Sequence, residues 1–395
     1  MADKFYGILY GEKFTDKEQT AYAVSHSLIS GGDLMGASVT PDTLTSFIKG
    51  KGFDGLIVSP EYGKTVMPLV SKTSPAARAV GALDVIVKGA DGKLYGDNTA
   101  IPAFAYLLGR VMRGDGMPNK CIILGNGPDA NAVKYVLSSI EGMKVDTVTV
   151  TEKGKNNFEN IILHADAELL VNTASGMTSL PFSLDSLPLL SGVIDLGITP
   201  LNSPLMQAAK ERGIPAINGV PMVAARVKAA NELFFGVEAD DDILAPVEAA
   251  VFSSLMTVTL ISTDETLARA VAPALGAAVG KKSFDLADIF EKLYCKTISQ
   301  IKALSGPGSG EFDRMLRVAV EWMKKRSGCI ICVPSDVAEK PAYRKSIAAG
   351  GPIIGIVRPD EDGELLEGFC DILVQIDDAS CADIAVEAIR AELQI

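Results

Sequence analysis

An α/β protein built on parallel sheets with crossover helices is what this sequence predicts, and three observations predict it. Short apolar runs rich in Val and Ile alternate with amphipathic stretches along the chain. A strand, a glycine turn and a helix follow one another in "KCIILGNGPDANAVKYVL". The 395 residues exceed what one core commonly serves, so two or three domains are expected.

Strands are expected over 6–9, 55–58, 121–124, 147–150, 168–171, 192–195, 258–261, 329–333, 353–357 and 371–375, where β-branched residues cluster between turn formers. Helices are expected over 130–140 and 205–212, the second stopped by Gly213 and Pro215, and along a stretch starting near Pro102. One boundary falls before Asn119. Another is the acidic "VEADDDILAPVE" (237–248), read as a solvated turn between folded units. The division expected is 1–101 with the return of a helix near 221–236, then 102–236, an acidic linker 237–250, and 251–395.

Composition narrows the function classes. The chain is 48% hydrophobic with both charge signs interspersed, which suits packed cores. A net charge of -12 argues against a nucleic-acid partner, which needs a basic face. No apolar run reaches the ~20 residues that cross a bilayer, since the longest, 251–261, is broken by serines and threonines. The opening residues are charged almost at once, unlike a signal peptide. Six scattered cysteines in a chain of this size suggest a reduced, cytoplasmic protein without disulfide staples.

The middle turn carries the first candidate site. Gly125, Gly127 and Ala130 fit G-x-G-x-x-A, in which the helix start meets a pyrophosphate and Ala permits close helix–strand packing. After the next strand comes Thr151-Glu152-Lys153. A carboxylate at Glu152 would accept from a ribose hydroxyl and repel a 2′-phosphate, so NAD fits better than NADP, although the sequence requires no cofactor. A surface glutamate at a strand end is the plainer reading of Glu152.

Several motifs in order carry a resemblance. "AVGALDVIVKGADGKLYGDNTAIPAFAYLL" (79–108) resembles the Gly-Ala-Val-Asn-Thr and Gly-x-Asn-Thr-Asp-Gly signatures of shikimate dehydrogenases. "VNTASGM" (171–177) resembles the family's I-N-x-T-x-x-G-M and adds Thr173 to the cofactor set. "IDLGITPLNSPLMQAAKERGIPAINGVPM" (194–222) resembles D-x-x-Y-x-P-x-x-T-x-L with the Gly-x-x-Met helix entry. The resemblance covers roughly 5–236. It implies a substrate-binding domain, a Rossmann domain, and hydride exchange between a nicotinamide and a hydroxy acid.

The residues the resemblance makes catalytic are replaced. A Lys and an Asp of that family handle the proton of the reacting hydroxyl. In register they fall on Gly63 and Ala100. Lys64 is the one substitute base, and it serves only if the backbone shifts by a residue. The family's signature Asn becomes Asp84, the Asn of its Lys motif Ile57, and the Thr of that motif Ser59. The paired serines become Lys13 and Thr15, the positioning Tyr becomes Ile198, and the last-helix Gln becomes Arg226. If the cleft persists, Lys13, Lys64 and Arg226 would surround Asp84 and Thr15 and Ser59 would supply hydroxyls, a cradle for a small anionic ligand. The plainer reading leaves the two lysines solvated and Arg226 an ordinary helix-surface charge.

The last section, 251–395, resembles shikimate kinase in its order of elements, a parallel α/β domain. The helix at 266–276, "FDLAD" (284–288) and "TISQI" (297–301) follow in sequence. The phosphate loop is absent: only Ser262, Thr263, Asp264 and Glu265 separate strand from helix, and two acids stand where glycines and a Lys belong. "GPGSGE" (306–311) lacks Lys-Ser/Thr and reads as a flexible loop, and Cys329-x-x-Cys332 reads as buried strand. His26 and His164 join no recognisable motif, and no metal site is expected.

The leading reading is a tandem of dehydrogenase-like and kinase-like domains that has lost both activities and serves aromatic (shikimate/quinate) metabolism in sensing, regulation or scaffolding. The alternative is a divergent NAD(P)-dependent shikimate dehydrogenase or related small-acid oxidoreductase. Candidate partners are a small anionic ligand, a second copy of the chain, and active enzymes of the pathway.

Overall fold

Two compact units divide the chain, Met1–Thr199 with Ser203–Phe252, and Pro200–Asn202 with Ser253–Ile395. The computed structural model describes residues 4–111, 118–149, 151, 153–174, 177, 179–305, 310–338, 340–359, 366, 368 and 370–393.

The first unit holds two sheets. One contains β1 (Tyr6–Tyr10), β2 (Met35–Ser38), β3 (Gly55–Val58), β4 (Lys72–Thr73), β5 (Val85–Lys88) and β6 (Leu94–Asp97), in the order β2-β1-β3-β5-β6-β4. Strands β1, β2 and β3 run parallel, but β5 is antiparallel to both β3 and β6. This first sheet is therefore mixed, its parallel part joined to an antiparallel strand that the pattern of a parallel sheet did not anticipate. "VIVKGADGKLYGD" is a hairpin, with Asp91-Gly92 at its turn, and a hairpin needs no crossover helix.

The second sheet contains β7 (Lys120–Leu124), β8 (Lys144–Val148), β9 (Leu169–Asn172), β10 (Gly192–Asp195) and β11 (Ala216–Asn218). All are parallel, in the order β11-β10-β9-β7-β8. Chain order reverses around β7, so the crevice beyond the ends of β7 and β9 is where such a sheet binds ligands. Strand β8 starts three residues before the expected 147 because Lys144 pairs with Lys120 in register.

The α-helices among the described residues of this part of the chain are α1 (Asp16–Ser30), α2 (Pro41–Gly50), α3 (Pro75–Val80), α4 (Ala100–Val111), α5 (Pro128–Ser138), α6 (Pro204–Glu211), α7 (Val220–Phe235) and α8 (Leu244–Leu255). Helix α7 is buried on almost every side and packs against α1 and α4. Phe234 near its end stacks on Tyr6 at 5.1 Å, and burying such a ring contributes about 1.5–3 kcal/mol. The stretch expected as a solvated link is a short 3-10 turn, Asp241–Ile243, followed by α8. Leu244, Val247 and Val251 recur on one helical face and are buried, while Glu248 receives hydrogen bonds from Tyr106 and Arg110 of α4.

The second unit contains β12 (Val258–Ser262), β13 (Ser283–Asp285), β14 (Ile330–Cys332), β15 (Ile353–Val357) and β16 (Ile372–Gln375) in the order β13-β14-β12-β15-β16, all parallel. Its helices are α9 (Glu265–Ala278), α10 (Leu286–Tyr294), α11 (Ile298–Ser305), α12 (Gly310–Lys324), α13 (Ser335–Ala338), α14 (Pro341–Ala348) and α15 (Ala382–Leu393). Cys329, Ile331 and Val333 enter one core cluster, and Cys332 points away from it, as strand alternation requires. Burial pushes the Cys332 thiol up to about 12, so it stays protonated. Positions 306–309 of the expected loop lie outside the described residues. No described helix is long and apolar enough to cross a membrane.

Candidate functional site

The turn from β7 into α5 keeps the shape of a nucleotide-binding turn. Gly125 has φ +111°, and a Cβ there would lie 2.5 Å from Thr173 Oγ1, so only glycine fits. Thr173 is locked in place, its N–H and hydroxyl both donating to the Leu124 carbonyl at 2.9 and 2.8 Å. Gly127 caps α5 with open space where a Cβ would stand, and Ala130 is buried beneath. Gly125, Gly127, Ala130 and Thr173 thus come together at the switch point. Glu152, the expected ribose contact, lies outside the described residues.

The start of α5 disagrees with the glycines before it. A pyrophosphate is held there by free N–H groups at the positive end of the helix. Pro128 at the first helical position has no N–H, and Asp129 at the next adds the negative charge of its carboxylate to the first turn. The glycines fit a dinucleotide; the helix start does not. Arg226 of α7 pairs with that carboxylate.

Arg226 is itself buried, which corrects the reading of it as a surface charge. Burial works against its charge, but the charges of Asp129, Tyr22 and Asp84 more than restore it and hold the guanidinium charged. Burial likewise raises Tyr22, with Arg226 opposing. The buried Arg226 Nε has no hydrogen-bond partner among the described residues.

Asp84, at the entry to β5, stands in this network. Its two oxygens accept from the Thr99 N–H at 2.7 Å and the Thr99 hydroxyl at 2.8 Å. Burial pushes its carboxyl up to about 6, against Arg226 and the Thr99 bonds, which favour the charged form. Thr99 precedes α4, whose first residue is Ala100, fully buried. Asn98 ties this corner together: its amide donates to the Ala82 carbonyl at 3.0 Å, and its oxygen accepts from the Ala100 N–H at 3.0 Å.

Gly63 faces the same corner and is closed. A Cβ at Gly63 would meet the Leu83 carbonyl oxygen at 2.5 Å, and the Leu83 N–H donates to the Gly63 carbonyl. A lysine there would require the backbone to move. Ser59, after β3, is buried, and its hydroxyl has no hydrogen-bond partner among the described residues.

The other expected ligand groups are elsewhere or engaged. Thr15 caps α1 in a capping box, its hydroxyl 2.8 Å from Glu18. Lys13 and Lys64 are exposed, and neither side chain has a hydrogen bond or ion pair among the described residues. Asp84 and Arg226 are the two that the fold brings together. Asp129, Tyr22 and Thr99 belong with them and were not singled out from sequence; an acid in the first turn of the helix after a glycine turn was the available signal.

In the second unit, two residues separate β12 from α9. Asp264 caps the helix and accepts from Arg358 at 2.5 Å. The Thr266 and Arg358 hydrogen bonds bring its carboxyl down to about 2. Nearby, Arg269 pairs with Asp285 at 2.6 Å beside a small recess lined by Ser262, Glu265 and Cys332. The carboxylates of Glu265 and Asp285 and the spent guanidinium of Arg269 make poor phosphate ligands.

No family model matches the sequence. Curated proteins do. A shikimate dehydrogenase (NADP(+)) of Sphingopyxis alaskensis is 30% identical over 224 residues, which is 52% of this chain and 81% of that protein. A quinate/shikimate dehydrogenase (NAD(+)) of Corynebacterium glutamicum is 28% identical over 218 residues, 48% of this chain and 75% of that protein. Among solved structures, shikimate 5-dehydrogenase from Thermus thermophilus in complex with NADP(H) and shikimate superposes with a TM-score of 0.53 at 20% identity, over 63% of this chain and 100% of that one. Quinate dehydrogenase from Corynebacterium glutamicum in complex with NAD gives 0.53 at 20% identity, over 64% and 99%. At such identities the two structures establish the fold of the first unit and nothing finer.

Proposed function

The chain belongs to the shikimate dehydrogenase family, and from that premise we propose that it is a pseudoenzyme of aromatic (shikimate/quinate) metabolism, with a sensing, regulatory or scaffolding role. One observation carries the reading. Where the resemblance puts a proton-handling Lys and Asp, this chain has Gly63, shut by the Leu83 carbonyl, and Ala100, buried at a helix start. Oxidising an alcohol needs a group that takes its proton as hydride leaves. Lys64 is exposed and unengaged, and the oxygens of Asp84 are occupied by Thr99.

The second unit is read as a kinase-like domain without a phosphate loop. Support comes from its parallel sheet with the first strand at the centre and from the direct passage of β12 into α9 through Asp264.

The test is calorimetric titration of the whole chain with NAD, NADP, shikimate and quinate separately, beside a turnover assay. No turnover is expected, and none from Gly63→Lys combined with Ala100→Asp, because the Leu83 carbonyl obstructs the new side chain. Turnover of a shikimate-like alcohol by the native chain overturns the proposal. A second reading, an NAD(P)-dependent oxidoreductase using Lys64, draws support from the activities named for the relatives. It predicts turnover that Lys64→Ala abolishes. A scaffolding role predicts copurification with an active enzyme of the pathway.

A further inference from the structure

We infer that α1 is held on α7 by a latch that acid opens: His26 lies neutral in the seam between the two helices, and taking up a proton frees α1. The seam holds α1 by little apolar surface. The buried residues of this helix are Ala21, Tyr22, Ser25 and His26, with no Leu, Ile or Val among them. The Ser25 hydroxyl is spent within the helix, donating to the Ala21 carbonyl at 2.8 Å. His26 is 2% exposed, and its ring meets Phe234 of α7 edge-on with centroids 6.5 Å apart. Its Nδ1 has no hydrogen-bond partner among the described residues. Asn231, three residues before Phe234 and so on the same side of α7, is buried too, and its Oδ1 likewise has none.

A charged imidazole at this place must either lose its water or move to reach it. Burial holds His26 below the ordinary imidazole range, and the charge of Asp33 opposes that shift. Asp33 acts from the exposed segment after α1. From α7 the ring faces the uncharged Phe234, behind which stacks Tyr6 of β1. The nearest cation along α7 toward its start, Arg226, is turned to Asp129 and Tyr22. The dipole of α1 also favours a cation near its last turn, which holds no basic residue, but burial outweighs it. The packed seam therefore binds fewer protons than the opened one. Its stability is full above pH ~6.5 and falls as pH drops below that value, opposite in sign to the effect of Asp84. Because α1 covers α7 with small and polar side chains, local opening exposes less apolar surface than global unfolding.

The experiment is amide hydrogen exchange on the full chain at pH 7.5 and pH 5.5, each corrected for the intrinsic pH dependence of exchange. Amides of α1 should lose about three- to tenfold in protection at the lower pH, the upper limit being set by one pH unit below the ordinary imidazole value. Those of α6, in the same unit, should keep theirs. His26→Gln cannot take the proton, so its α1 should be equally protected at both pH values. Where that variant does not fold, His26→Leu is held to the same criterion. Unchanged protection of α1 in the native chain overturns the inference. A loss that the variant retains also overturns it, by assigning the effect to another group such as Asp33. So does a loss shared equally by α6, which is unfolding of the whole unit. Exchange is read without substrate or nucleotide, so it stands apart from the turnover and titrations that test the proposed function.

Discussion

Two strand-to-helix turns of this chain end in an aspartate held by an arginine, and they do so by different physics. At β7–α5 the glycines persist, and Asp129 is gripped by an arginine buried in the unit. At β12–α9 no glycine remains, and Asp264 caps the helix itself while Arg358 approaches from a more exposed position. The first turn has kept its glycine shape and carries a carboxylate paired with an arginine of another helix. The second has lost the shape. A glycine motif therefore reports backbone geometry, and the charge beside it decides what that geometry accepts.

Breaking the two ion pairs should separate them most sharply. Arg226→Met leaves the half-buried Asp129 without its partner, and a loss short of the about 3–5 kcal/mol of a fully buried pair is expected in urea unfolding. Arg358→Ala should leave the unfolding midpoint within error, since exposed pairs contribute little. Similar losses from both would erase the distinction.

Gly125→Ala tests whether the first turn is as constrained as its φ implies. With Thr173 Oγ1 at 2.5 Å from the new Cβ, a loss of about 1–3 kcal/mol is expected, read by the same denaturation. A neutral result would mean that the glycine is dispensable and the turn not specially shaped.

The aspartates around the arginines should also respond to pH in opposite directions. Asp84 has its carboxyl raised from 3.8 to about 6, so the folded chain keeps a proton that the unfolded chain releases. Stability from this group is full below pH ~4, falls as pH rises toward ~6, and is level above. Asp84→Asn should remove that fall, about 1–3 kcal/mol between pH 4 and pH 7.5. Asp264 is lowered to about 2, so its contribution is present above pH ~4 and fades as pH drops toward 2. The smallest effect expected is a slight rise in acid lability for Arg358→Ala, measured as the acid unfolding midpoint.

Much of the fold was legible because strands leave short apolar signatures. The runs around 55–58, 192–195 and 353–357 are strands with those bounds. The hairpin β5–β6 escaped because "VIVK" was read within a motif and not as a strand. Strand β13 is short and half polar. The acidic stretch misled for another reason: its exposed acids, Glu238, Asp240, Asp241 and Asp242, precede a helix whose apolar positions are spaced to be buried, and Glu248 within that helix is buried too. In the site, Gly125, Gly127, Ala130 and Thr173 were readable because backbone shape demands particular residues. Asp129 was passed over, since a carboxylate on a helix start has no meaning until its neighbour is known.

The sequence alone determined the family and the alternation of strands and helices, because these depend on local pattern and order, and the resemblance supplied the expectation that Gly63 and Ala100 stand where a Lys and an Asp would. Tertiary structure alone decided that Arg226 is buried, that it reaches Asp129 across 97 positions of chain, and that the Leu83 carbonyl shuts Gly63. The physical reason is one of range. Backbone propensity acts between neighbours in sequence, whereas charge pairing and steric closure act between neighbours in space.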